Sequence, residues 1–113
     1  MNVMTIIEHF VTGHPDRALD ALIARVSALT RYDVCVSFKI GRTSDPEARF
    51  AQEDYADYDN MVLVYRTGSA AHADDIEAAL IHHNRERTDN ERRGGGGPIG
   101  DAPFFVYVVR EMA

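Results

Sequence analysis

Phe38-Lys39-Ile40-Gly41-Arg42-Thr43-Ser44-Asp45-Pro46-Glu47-Ala48-Arg49-Phe50 is the stretch on which the reading of this chain turns. Just before it and into it, Val34, Val36, Phe38 and Ile40 alternate with Cys35, Ser37 and Lys39. A period of two predicts a strand with one apolar face and one small, polar face turned to a cleft or to solvent. Gly41 is expected to end it. Ser44-Asp45-Pro46-Glu47 then opens a helix in one of two ways. Either Ser44 caps with Glu47 closing a capping box, or Asp45 caps with Pro46 in the first turn. The helix carries Arg49 and Phe50 and is expected to end near Tyr55.

On the N-terminal side, Val3, Met4, Ile6, Ile7, Phe10 and Val11 are spaced by threes and fours, which predicts a short amphipathic helix stopped at Gly13. Pro15 opens a second helix to about Thr30, with Leu19, Leu22, Ile23, Val26 and Leu29 on one face. Packing or dimerisation is the expected use of this helical pair.

On the C-terminal side, Asp54, Asp57 and Asp59 flank Tyr55 and Tyr58 in an acidic, solvated turn. Met61 to Arg66 reads as a buried strand and Ala71 to about Arg87 as a helix. Residues 88–103, with Arg92-Arg93 and the four glycines Gly94 to Gly97, are expected to be a polar, glycine-rich loop. It lacks the Gly-Lys-Ser/Thr ending of a P-loop, so nucleotide hydrolysis is a poor fit. Phe104 to Val109 is the most β-prone segment and predicts a strand buried on both faces. The expected fold is a small α/β (α+β) domain of about three strands flanked by helices. Residues 1–113 read as one domain, with 1–31 as a helical extension and 34–109 as the core.

Composition narrows the function. The 113 residues carry a net charge of -6, with 12 Lys and Arg against 18 Asp and Glu. Such a balance argues against gripping nucleic acid by bulk charge and leaves room only for a local basic patch. The single cysteine, Cys35, forms no internal disulfide and suits a reducing cytoplasm. No apolar run reaches the roughly 20 residues that span a bilayer, and no basic leader precedes the first apolar residues. Neither a membrane nor a secretory route is expected. His82 and His83 are adjacent on a predicted helix and point in different directions, so one ion does not easily use both.

With the elements placed, the central stretch resembles a GIY-YIG nuclease domain. The resemblance rests on Lys39-Ile40-Gly41 at a strand end, on Arg49 at the family's distance from that glycine, and on Glu77 in a helix after the next strand. It covers about Val34 to Asn90. Asn90, or less well Asn84, fits the family's asparagine. The resemblance implies metal-dependent cleavage of DNA, with Glu77 holding Mg²⁺ or Mn²⁺ and Arg49 gripping the phosphate. Lys39 would supply charge or lower the pKa of a neighbouring tyrosine. Arg42, Asn90, Arg92 and Arg93 are the expected nucleic-acid contacts. The family's first, tyrosine-bearing strand does not precede Val34. Phe104 to Val109 is expected to take its place in the sheet, with Tyr107 as the catalytic tyrosine. Two other readings stand beside the enzyme: an inactive relative that binds DNA or a protein partner, and a dimerisation module acting through the N-terminal helices.

Overall fold

The computed structural model describes residues 5–90 and 100–113. Arg92, Arg93 and the glycine run, expected to contact nucleic acid, lie outside the described residues. The elements run β1 (Thr5–Val11), α1 (Pro15–Leu29), β2 (Cys35–Thr43), α2 (Pro46–Phe50), a 3-10 turn (Glu53–Tyr55), β3 (Asn60–Thr67), α3 (Ala70–His83) and β4 (Phe104–Met112). The strands form one mixed sheet in the order β1-β3-β4-β2. β1 runs parallel to β3, and β4 is antiparallel to both β3 and β2. The α/β (α+β) class holds.

The N-terminal helical pair does not form. Residues expected to be a helix are the strand β1, paired to β3 from Thr5↔Asn60 onward. Thr5-Ile6-Ile7 is β-branched, and such side chains suit a pleated surface better than a helix. Among the described residues the sheet therefore has four strands rather than three, and residues 5–31 belong to the sheet and its core rather than to a helical extension. The remaining helix, α1, buries Ala18, Leu22 and Val26 against the sheet. Its apolar face is spent inside the domain, so the helical dimer surface read from the sequence is not built.

The strongly apolar segment from Phe104 takes the interior position, with a partner on each side. That is where a continuous β-prone run belongs. The sheet's two faces carry separate cores. One packs Phe38, Ile40, Val62, Val106 and Val108 against α1 and α3; the other packs Met61, Leu63, Tyr107 and Val109 against Phe50 and Tyr55. Alternation along β2 and β4 sorts the residues between them.

Other boundaries differ in instructive ways. Gly41 lies inside β2 and does not end it, because it is paired opposite Tyr107. Asp45 is the cap of α2, accepting from the Ala48 N–H at 3.1 Å, with Pro46 at the first helical position. The expected helix to Tyr55 breaks after Phe50 into the 3-10 turn. α3 stops at His83, where Asn84 Nδ2 donates back to the Leu80 carbonyl at 2.8 Å. α1 has no basic residue in its last turn, and arginines from elsewhere supply the charge. Arg110 Nη1 donates to the Leu29 carbonyl at 3.0 Å, and Arg87 donates to that of Thr30. Cations suit the negative end of a helix.

The outer edge of β2 is closed by the segment after α3. Asp89 N–H donates to the Phe38 carbonyl at 2.8 Å. Asn90 then plays the part of a neighbouring strand. Its Oδ1 accepts from Ile40 N–H, and its Nδ2 donates to the Ile40 carbonyl, both at 2.9 Å. This amide is committed to backbone, so it is a positioning group rather than the nucleic-acid contact expected of it. Asn90→Ala should leave both Ile40 groups without that partner and lower stability by about 1–2 kcal/mol. In urea melts the midpoint should fall with the slope unchanged.

Candidate active site

Gly41 and Tyr107 set the geometry. A Cβ on Gly41 would stand 2.5 Å from Tyr107 Cζ and 2.9 Å from Cε1, and closer still to the hydroxyl. The tyrosine ring lies across the bare backbone of the opposing strand, as aromatic residues do over sheet glycines. The glycine is there for close approach, since only hydrogen leaves room for the ring.

From this position Tyr107 Oη reaches Tyr55 Oη at 2.6 Å, and the two rings pack edge to face with centroids 5.9 Å apart. Tyr55 is delivered by the 3-10 turn. The Arg49 guanidinium stacks on its ring with Cζ 4.2 Å from the centroid. Arg49 also donates to Gln52 and to both carboxylate oxygens of Asp54, at 3.3 and 3.4 Å. Lys39, two residues before Gly41 on the same strand face, holds its Nζ 5.6 Å from the Tyr55 centroid. Lys39, Gly41, Arg49 and Tyr107 are thus gathered in one cluster, with Tyr55 at its centre.

Arg42 turns to the other face of β2 and makes a second group. Its Nε donates to Glu77 Oε1 at 3.1 Å and lies 3.6 Å from Asp74 Oδ1. Asp74 and Glu77 are one turn apart on α3, so both reach the same neighbour. Among the described residues, no hydrogen bond joins Glu77 to Arg49 or Tyr107. The Arg42–Asp74–Glu77 group is thus separate from the tyrosine cluster and lies across β2 from it.

Burial dominates the protonation states. It raises Tyr107 well above the usual phenol range; Tyr55's charge and hydrogen bond add to this, and Arg49 only partly opposes it. Tyr55 is raised by burial as well, against the pull of the Tyr107 hydrogen bond and of Arg49. Neither tyrosine is lowered overall, as was expected of one beside Lys39, because loss of solvent outweighs the pull of Arg49. Burial also lifts Glu77, whose side chain is 3% exposed. Arg42's charge and hydrogen bond pull it down, Asp74 pushes it up, and the result is about 7.

Tyr55 was not anticipated as a site residue. An aromatic side chain among Asp54, Asp57 and Asp59 reads as part of a solvated turn, yet Tyr55 is buried. The available signal was an aromatic residue six positions beyond an arginine already assigned to phosphate. Among the described residues, no group of three or more His, Cys, Asp and Glu side chains is arranged to hold a metal ion. No described helix is long and apolar enough to cross a membrane. Comparisons of the chain with protein-family models, with curated proteins and with solved structures give no match.

Two outcomes follow from this geometry. Gly41→Ala should drive Tyr107 off its seat and cost about 1–3 kcal/mol, read as a lower urea midpoint. The second concerns pH. Glu77 rises from an ordinary 4.5 to about 7 on folding, so its protonated form favours the fold. That stabilisation is complete below about pH 4.5 and is lost as pH climbs through 7. Glu77→Gln mimics the protonated acid. It should be more stable than the wild type at pH 8, by about 3 kcal/mol at most, with the gap closing near pH 4.

Proposed function

We propose that this chain is a metal-dependent phosphodiester hydrolase acting on DNA, with chemistry of the GIY-YIG kind. The observation that carries the reading is the cluster of Tyr107, Tyr55 and Arg49 packed over Gly41. A phosphodiester needs positive charge on its oxygens and a positioned water. Arg49 offers a planar fork of donors matched to phosphate, now occupied by the carboxylate of Asp54, which has similar acceptor geometry. Lys39 adds charge beside it.

The two tyrosines keep their protons at neutral pH. One hydroxyl donates to the other, and the proton of the acceptor is left over for a phosphoryl oxygen or the attacking water. Their role is to donate and orient. Glu77 fits a magnesium-type cation, because Mg²⁺ or Mn²⁺ accepts one carboxylate and completes its shell with water and substrate phosphate. The donor set does not resemble a closed zinc site. When bound, the cation would offset the charge on the phosphate and the leaving oxygen. The free thiol of Cys35 supports a cytoplasmic setting.

A second reading is a module that binds DNA or a protein without cleaving. The observation in its favour is that Arg49 and Arg42 both already face carboxylates in a chain of net charge -6. Plasmid nicking in Mg²⁺ or Mn²⁺ separates the two. The wild type should nick. Arg49→Ala and Glu77→Gln should each lower the rate about 100-fold or more, and Tyr107→Phe about 10- to 100-fold. Absence of nicking by a folded wild type, or equal nicking by all the variants, would falsify the hydrolase.

A further inference from the structure

Arg42 stands where a cation at Glu77 would meet it. Its Nε holds Glu77 Oε1 at 3.1 Å, and Asp74 Oδ1 is its next anionic neighbour at 3.6 Å. Exposure grades along this row. The side chain of Glu77 is 3% exposed, that of Arg42 12% and that of Asp74 56%. A guanidinium cannot be neutralised by losing its proton. A divalent cation arriving at Glu77 would therefore face a fixed positive charge already hydrogen-bonded to its ligand. In a site shielded from water that repulsion is poorly screened.

We propose that Arg42 is the resting counter-ion of Glu77, and that a divalent cation binds there only as the guanidinium moves off. The inference rests on Glu77 being the cation's ligand in the reading above. The half-exposed Asp74 gives the displaced guanidinium a second anion toward solvent, and an arriving phosphodiester gives it a better one. Arg42 then exchanges a carboxylate for a phosphate while the cation takes the carboxylate. Cation and phosphodiester consequently reinforce each other's binding, since each removes what opposes the other, and such coupling is reciprocal. In the absence of phosphodiester the cation is held weakly.

The test is Mn²⁺ binding to the whole chain at pH 8, followed by the electron paramagnetic resonance signal of free Mn²⁺. Arg42→Gln should bind Mn²⁺ at least about tenfold more tightly than the wild type, and adding Glu77→Gln should abolish the gain. Arg42→Lys retains the competing charge and should bind as weakly as the wild type. Equal binding by Arg42→Gln and the wild type would overturn the proposal, as would a gain that survives Glu77→Gln. If Arg42→Gln does not fold, the wild type decides the matter. Its Arg42 Nε–H resonance should shift in step with added Mg²⁺, and a resonance unmoved up to saturation would sink the idea. A chain that nicks no DNA but shows the tenfold gain loses the hydrolase reading and keeps Arg42 as the counter-ion. Nicking without the gain does the reverse.

Discussion

Tyr107 rests on Gly41, and fold and site both depend on that contact. The pair fixes the register of β4 against β2, since a slip of one residue would turn Tyr107 to the helix face and bring a side chain under the ring. It also sets the height of the hydroxyl that meets Tyr55. Tyr55 in turn is the surface on which Arg49 lies. A sheet pairing, a missing side chain and two aromatic rings therefore position a guanidinium that belongs to a five-residue helix, too short to be rigid by itself.

Charge is managed in a consistent way. Four arginines withdrawn from solvent each direct at least one guanidinium N–H to an acceptor, although the buried Nε of Arg87 has none among the described residues. Arg110 and Arg87 serve the carbonyl end of α1. Arg49 and Arg42 instead face carboxylates: the half-exposed Asp54 on one side, and the half-exposed Asp74 with the buried Glu77 on the other. The first pair is structural, because a backbone carbonyl has no competing ligand. The second pair faces carboxylates, and a carboxylate presents the same acceptor geometry to the guanidinium fork as the phosphate of the proposed function.

Much of this was legible in the residues. The β-prone run from Phe104 announced an interior strand, and Asp45-Pro46 announced a helix start, because both signals are local. The strand β1 was not legible. Ile6, Ile7, Phe10 and Val11 satisfy a helical spacing as readily as a strand, and the pairing to Asn60 and its neighbours that decides the matter is remote in sequence. The roles of Asn90 and Arg42 were hidden for the same reason. Nothing near Asn90 indicates that its amide will meet Ile40, and nothing near Arg42 indicates that Glu77 will be its partner. Tyr55 was concealed by composition, since its neighbours are acidic while its own ring is buried.

The position of β4 has a consequence for how the molecule is made. Among the described strands β4 is the last in chain order, yet it is the one that pairs with both β3 and β2 and so joins the β1–β3 pair to β2 within the sheet. Until it docks, β2 and β3 have no contact as strands, and each offers an unpaired edge. Long-range pairings of this kind are slow to form and leave sticky intermediates in the meantime. Tyr107 rides on the same strand. Closure of the sheet and assembly of the tyrosine cluster are therefore one event, and a chain caught halfway has neither a complete core nor a site.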